Sequence, residues 1–285
     1  MRAMFLRFPE GKAKAVTFSY DDGCPQDMRL SDIFTTYQMK GTFNLNSDAL
    51  RRGNALSREE VESHFFAHGH EVAIHGYWHR PEGILRPIEG IRDVLDCRLE
   101  LEQKYGRVIR GMAYPDTGIT VFDNTASYEK VRNYLQELDI AYSRTLGADN
   151  NSFCLPSDWY AWMPTAHHTN PSLMEYIDEF LSLDLSAKRY YPRRSPRLFY
   201  LWGHSYEFDN NHNWDLIETV CKRFAENRDS LWFATNMEIH DYVEAYNALI
   251  HSADGSILYN PTLFDIWFDA DGTVYCIKSG ETMRL

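Results

Sequence analysis

No stretch of the sequence approaches the roughly 20 consecutive apolar residues that a membrane span requires. The opening MRAMFLRFPEGKAK has neither an uninterrupted apolar run nor a small-residue cleavage site. The expectation is a cytoplasmic protein with no membrane partner. Cysteine is scarce: Cys24, Cys97, Cys154, Cys221 and Cys276 are scattered, odd in number and without C-x-x-C spacing, which suits a reduced setting. Basic charge is also lacking. A formal net charge of -12 offers neither the basic footprint nor the counterion release that a nucleic acid or anionic membrane partner needs. A neutral or weakly charged substrate fits better. Internal repeats, low-complexity tracts and Gly/Ser linkers are missing, so the 285 residues read as one large α/β domain, or one domain with a short appendage.

What is present is alternation. Ala15–Tyr20, Gly41–Leu45, Glu71–Ile74 and Gly111–Tyr114 are short apolar runs that read as buried strands. Ile140–Ser143, Ala161–Thr165, Leu198–Trp202 and Leu231–Thr235 continue the series. Helical patterns lie between them. Ser57-Arg-Glu-Glu60 is a capping box leading into Val61 and Phe65. Ile91, Val94, Leu95 and Leu99 form a stripe that Gly106 stops, and Val131, Tyr134, Leu135 and Leu138 form another. Strands alternating with helices imply a parallel sheet closed, or nearly closed, into a distorted (β/α) barrel of seven or eight strands. After a helix over Glu238–His251 the pattern changes, and Asp269-Ala-Asp-Gly272 sits between alternating segments as a hairpin signal. The expected division is a barrel over 1–252 and a small β appendage over 253–285.

Three groups carry candidate chemistry. Phe18-Ser-Tyr-Asp-Asp-Gly23 places two adjacent carboxylates at a strand tip; they read as turn chemistry, or as a pair that repels unless a cation takes one. His75-Gly-Tyr-Trp-His79 follows another strand, with two imidazoles four residues apart across a tight turn. His204 ends Leu198-Phe-Tyr-Leu-Trp-Gly-His204. All fall just past C-terminal strand ends, the face where barrels build their sites. Asp22, His75 and His79 supply three ligands for a divalent ion and leave positions open, as in catalytic rather than structural zinc. Asp21 and His204 then remain as proton-transfer groups.

These residues resemble the polysaccharide deacetylases, carbohydrate esterases with a NodB-homology domain and a distorted (β/α) barrel, over roughly residues 12–240. The family's Asp-Asp motif matches Ser19-Tyr-Asp-Asp-Gly23, which implies Asp21 as catalytic base and Asp22 as metal ligand. Its His-x-x-x-His motif matches His75 and His79, the other ligands. Its Leu-x-x-His motif matches Leu201-Trp-Gly-His204, which implies His204 as general acid. The third motif fits less closely: Gly111-Met-Ala-Tyr-Pro-Asp-Thr-Gly118 keeps Tyr114 and Pro115 but lacks the family's Arg. By the resemblance, the Tyr114 N–H is an oxyanion donor. The missing Arg is replaced by Arg144, or Arg144 is a barrel-rim charge. Asp158 orients His204, or is a solvated loop carboxylate. Beyond the motifs, His167 and His168 line the cleft or pack. Trp78, Trp162 and Trp202 wall a pocket or belong to the core, and Cys24 reads as a small buried hydrophobe.

The resemblance implies a metal-dependent hydrolase that removes an N- or O-linked acetyl group from a carbohydrate, the metal being zinc, cobalt, nickel or manganese. The alternatives are a hydrolase of a small amide or formamide and a non-catalytic carbohydrate-binding barrel.

Overall fold

The computed structural model describes residues 3–47, 53, 55–186 and 194–285. Its centre is β2 (Lys14–Asp21), in which every residue is buried, as expected of a strand with parallel neighbours on both sides and helices over its outer face. β8 (Arg197–Gly203) runs parallel to β2 along its length, from Lys14 opposite Arg197 to Tyr20 opposite Gly203. The other flank is shared. β9 (Leu231–Phe233) pairs with Lys14–Val16, and β3 (Thr42–Leu45) pairs with Ser19–Asp21. From β3 the sheet continues in parallel through β4 (Glu71–Ile74), β5 (Gly111–Ala113) and β6 (Tyr142–Arg144).

One extended segment closes the ring. Its Trp162 bridges Arg144 on β6, while β7 (Ala166–His167) pairs with Leu201 and Trp202 on β8. The result is a distorted barrel of seven staves with β9 wedged beside one of them. The sequence places this closing stave at Ala161–Thr165, a few residues early. Asp158 accounts for the shift: its side chain accepts the Tyr160 N–H at 3.0 Å and turns Trp159–Ala161 into a short 3-10 helix.

The outer helices follow their sequence signals with one correction. Ser57 and Glu60 exchange the two hydrogen bonds of a capping box. The helix Pro87–Tyr105 ends on Gly106 at φ 64°, where a residue without Cβ is favoured. Its buried face, however, runs through Gly90, Asp93, Val94, Cys97, Leu101 and Tyr105, and Leu99 is 55% exposed. An acid thus occupies a core-facing position that a purely apolar stripe cannot reveal.

Residues at the two ends of the chain meet below the barrel. β1 (Met4–Arg7) pairs antiparallel with β12 (Ile266–Ala270), which forms a hairpin with β13 (Thr273–Ile277). The hairpin turns on Asp271 and Gly272 at φ 52° and 95°, the positive-φ pair that two-residue loops require. Among the described residues no helix is long and apolar enough to cross a membrane.

Candidate metal centre

β2, β4, β6 and β8 all deliver their C-terminal ends to one rim. Asp22 leaves β2 at φ 83°, a left-handed conformation that costs an ordinary residue of the order of 1 kcal/mol or more. On β4, His75 is buried, and its Nδ1 lies 2.9 Å from the Ala113 carbonyl. A carbonyl only accepts, so Nδ1 carries the proton and Nε2 presents a lone pair to the rim. His79, at φ 51°, returns its own Nε2 to within 3.2 Å of His75 Nε2. Asp22 Oδ1 stands 3.3 Å from His79 Nε2 and 3.7 Å from His75 Nε2.

The three ligand atoms lie within 4.8 Å of one another. Two imidazole nitrogens and one carboxylate oxygen suit zinc and its neighbours and leave positions open. The two facing lone-pair positions repel unless a proton or a cation lies between them, so these residues fit a divalent ion. Electrostatics agree. Burial pushes the Asp22 carboxyl up, but the His79 hydrogen bond and the charges of His75, His204 and His79 bring it well below the usual carboxylate range. Burial pulls His75 down, toward the neutral form a metal ligand needs.

The loop joining the two histidines is held from outside. Asp93 Oδ2 accepts the Tyr77 N–H at 3.0 Å and Oδ1 accepts the Trp78 N–H at 2.7 Å. Gly76, at φ 78°, lies so close that a Cβ there would sit 2.6 Å from Asp93 Oδ2. Burial raises the Asp93 carboxyl to about 6, and the Trp78 N–H opposes that rise.

Asp21 has a different environment. It is 2% exposed, and Asn44 Nδ2 donates to its Oδ1 at 2.8 Å while Arg144 Nη2 donates to its Oδ2 at 2.5 Å. Arg144 is fully buried, with its guanidinium 4.1 Å from the centre of the Trp202 ring. Arg144 is therefore a buried partner of Asp21 and not a barrel-rim charge. Asp21 Oδ2 remains 3.8 Å from His75 Nε2, at the edge of the metal-binding atoms.

His204 Nε2 lies 3.9 Å from Asp22 Oδ2, and its Nδ1 is 3.6 Å from Glu207 Oε1. Burial works against its charge, but Glu207, Asp21 and Asp22 outweigh it and the pKa rises above the ordinary value. Glu207 also faces His168 Nε2 at 3.0 Å and His167 Nε2 at 3.3 Å. The expected partner Asp158 is committed elsewhere, to Tyr160 N–H and to the Tyr128 hydroxyl at 2.5 Å. The oxyanion expectation for Tyr114 is corrected too: its N–H donates to the Arg144 carbonyl at 3.0 Å and is spent holding β5 to β6. Cys24 is partly buried, and its thiol is pushed up by burial, out of reach of nucleophilic chemistry. Asp93 and Glu207 had no sequence signal beyond their charge. Asp93 sits in an ordinary helical segment, and Glu207 three residues past His204 reads as helix surface.

A protein-family model described as polysaccharide deacetylase matches residues 9–142. No curated protein matches the chain. Among solved structures, a putative polysaccharide deacetylase from Mycobacterium smegmatis is similar at 18% identity and a TM-score of 0.57, covering 87% of this chain and 96% of its own. A mutant of the peptidoglycan deacetylase PdaC from Bacillus subtilis is similar at 14% identity and a TM-score of 0.51, covering 85% and 96%. Likeness at such identities is a likeness of fold, and it covers more of the chain than the matched segment does. Residues 9–142 thus match the polysaccharide deacetylase family model, and the fold of the chain is similar to that of solved polysaccharide deacetylases.

Proposed function

We propose that the protein hydrolyses an acetyl group from a carbohydrate, with a divalent cation held by Asp22, His75 and His79. The observation that carries this reading is the convergence of those three ligand atoms within 4.8 Å, flanked by a buried carboxylate on one side and a histidine on the other. A cation bound there supplies the Lewis acidity that makes water a nucleophile near neutral pH and polarises an acyl carbonyl.

The protein's own groups move the protons. Asp21 is the base and accepts at Oδ2, the oxygen nearest the ligand set. Arg144 and Asn44 hold both oxygens of that carboxylate, fixing its orientation, and the guanidinium balances a charge that burial would make costly. His204 is the acid. Its raised pKa favours the imidazolium, which gives its Nε2 proton to the departing amine or alkoxide. Glu207 orients the ring by facing Nδ1. The Arg144–Asp21 pair supports the catalytic reading over a non-catalytic barrel, because the buried carboxylate is held by a guanidinium although the third motif lacks its Arg.

The test is elemental analysis of the wild type as purified, beside His79→Ala, with acetate release measured on a panel of N-acetyl and O-acetyl sugars. One ion per chain, lost in the variant, and acetate released by the wild type alone are the expected results. An ion without acetate release from any sugar would shift the substrate to a small amide. Failure to take up any ion after reconstitution would end the proposal.

A further inference from the structure

We propose a second, inhibitory cation site at His167, His204 and Glu207. Among the described residues these three form the only other group, besides Asp22, His75 and His79, whose ligand atoms approach one another closely enough to share an ion. Glu207 stands at its centre, with Oε2 3.3 Å from His167 Nε2 and Oε1 3.6 Å from His204 Nδ1. A second observation points to a ligand: His204 Nδ1 is buried and makes no well-formed hydrogen bond. Buried polar atoms seldom stay unsatisfied, and a cation would satisfy it. Two imidazoles and a carboxylate are again a borderline-soft donor set.

The surroundings suit the role. Thr169 donates its N–H to His167 Nδ1 at 3.2 Å and sets its hydroxyl 2.7 Å from the same atom; with Nε2 on an ion the Nδ1 proton turns to the hydroxyl and the N–H contact is given up. His168 Nε2, 3.0 Å from Glu207 Oε2, still holds the carboxylate from behind. Burial first, then the charge of His168, pulls His167 down to about 4, so it is neutral and able to ligate at ordinary pH.

Inhibition follows from His204, which belongs to both centres; this consequence rests on its assignment as the acid. When Glu207 faces Nδ1–H, loss of the Nε2 proton converts imidazolium to neutral imidazole. With a cation on Nδ1, the ring has only a neutral Nε2–H to give. Giving it would leave an imidazolate, so the ring is a far weaker acid and the leaving group departs unprotonated.

Metal-stripped protein dialysed against rising free Zn2+ is assayed for bound zinc and for acetate release. The wild type takes up two ions per chain. Activity rises with the first and falls about tenfold once free zinc exceeds the second dissociation constant tenfold, by mass action. His167→Gln, which keeps a donor for Glu207, takes up one ion, retains the activity of the singly loaded enzyme and is not inhibited by excess zinc. Retention of its first ion shows that it has folded. Glu207→Gln, read by stoichiometry alone, also stops at one. A wild type that stops at one ion, a His167→Gln protein that still takes two, or a doubly loaded enzyme with undiminished activity would each overturn the proposal. Stoichiometry needs no substrate, and His75→Ala should lose the first ion and keep the second. Failure of the deacetylation reading and failure of this site are therefore separable.

Discussion

At the scale of single residues, the decisive contact is the one between Asp21 and Arg144, both withdrawn from water. A buried ion pair contributes little net stability, but removing one partner strands the other. Asp21→Asn is therefore expected to lower kcat by about 10²–10⁴, the range typical of general base catalysis, while the ion is still bound through Asp22, His75 and His79. Arg144→Gln alone should also slow turnover. Added to Asp21→Asn it should cost little more, because the two act as a unit. Steady-state kinetics with metal analysis decides this: additive losses would mean that Arg144 acts on something other than the base. The clustering of Asp21, Asp22, His75 and His79 at one rim was legible in the sequence because each sits next to a strand with a strong apolar pattern, and strand ends fix where side chains gather. Arg144 was legible only as a candidate. Its partner lies 123 positions away, and nothing local to Tyr-Ser-Arg-Thr distinguishes a buried guanidinium from a rim charge. Glu207 was missed because its three histidine neighbours come from two separate strand ends, which only the closed barrel brings together.

At the scale of elements, the tight turn between His75 and His79 depends on the helix Pro87–Tyr105 packed behind it. Asp93 holds two consecutive backbone N–H groups of that turn, and Gly76 supplies the close approach that makes this possible. Outer groups that orient metal ligands typically contribute 10- to 100-fold in affinity. Asp93→Ala should raise the dissociation constant of the first ion by that factor and lower kcat far less once the site is saturated. An unchanged metal affinity, measured by competition with a chelator, would mean that the turn holds its shape without the helix. The helix itself was readable from its apolar stripe and its Gly106 stop. The function of its buried face was not, since helical periodicity identifies apolar faces and Asp93 is an acid on one.

At the scale of the whole molecule, residues from both ends of the chain are tied under the barrel by one carboxylate. Asp269, on β12, accepts from Arg7 of β1 at 3.1 Å and from Arg194, and it also takes the Gly272 N–H at 2.9 Å to close its own hairpin. Tyr242, from the helix Asn236–Asn247, links the same sheet to the barrel: its hydroxyl donates to the Arg7 carbonyl at 3.1 Å and accepts the Trp267 N–H at 2.9 Å. The Asp-Gly turn announced the hairpin, but β1 is a four-residue strand whose register partners lie 260 or more positions away, beyond any local pattern. Burial, then the neighbouring Arg194, already draws the Arg7 guanidinium down to about 10. The anion between the two arginines is what makes their burial tolerable. Asp269→Ala would leave two buried guanidinium groups facing each other and is expected to cost about 3–5 kcal/mol, read as a lower midpoint in thermal or denaturant unfolding. The proposed metal site lies at the opposite end of the strands, so ion stoichiometry and kcat of the protein still folded should be unchanged. If the midpoint fell and the ion were lost with it, the sheet under the barrel would be holding the rim in place as well as the chain ends. If the midpoint did not move, the guanidinium groups must reach water, and the carboxylate would not be what binds the ends together.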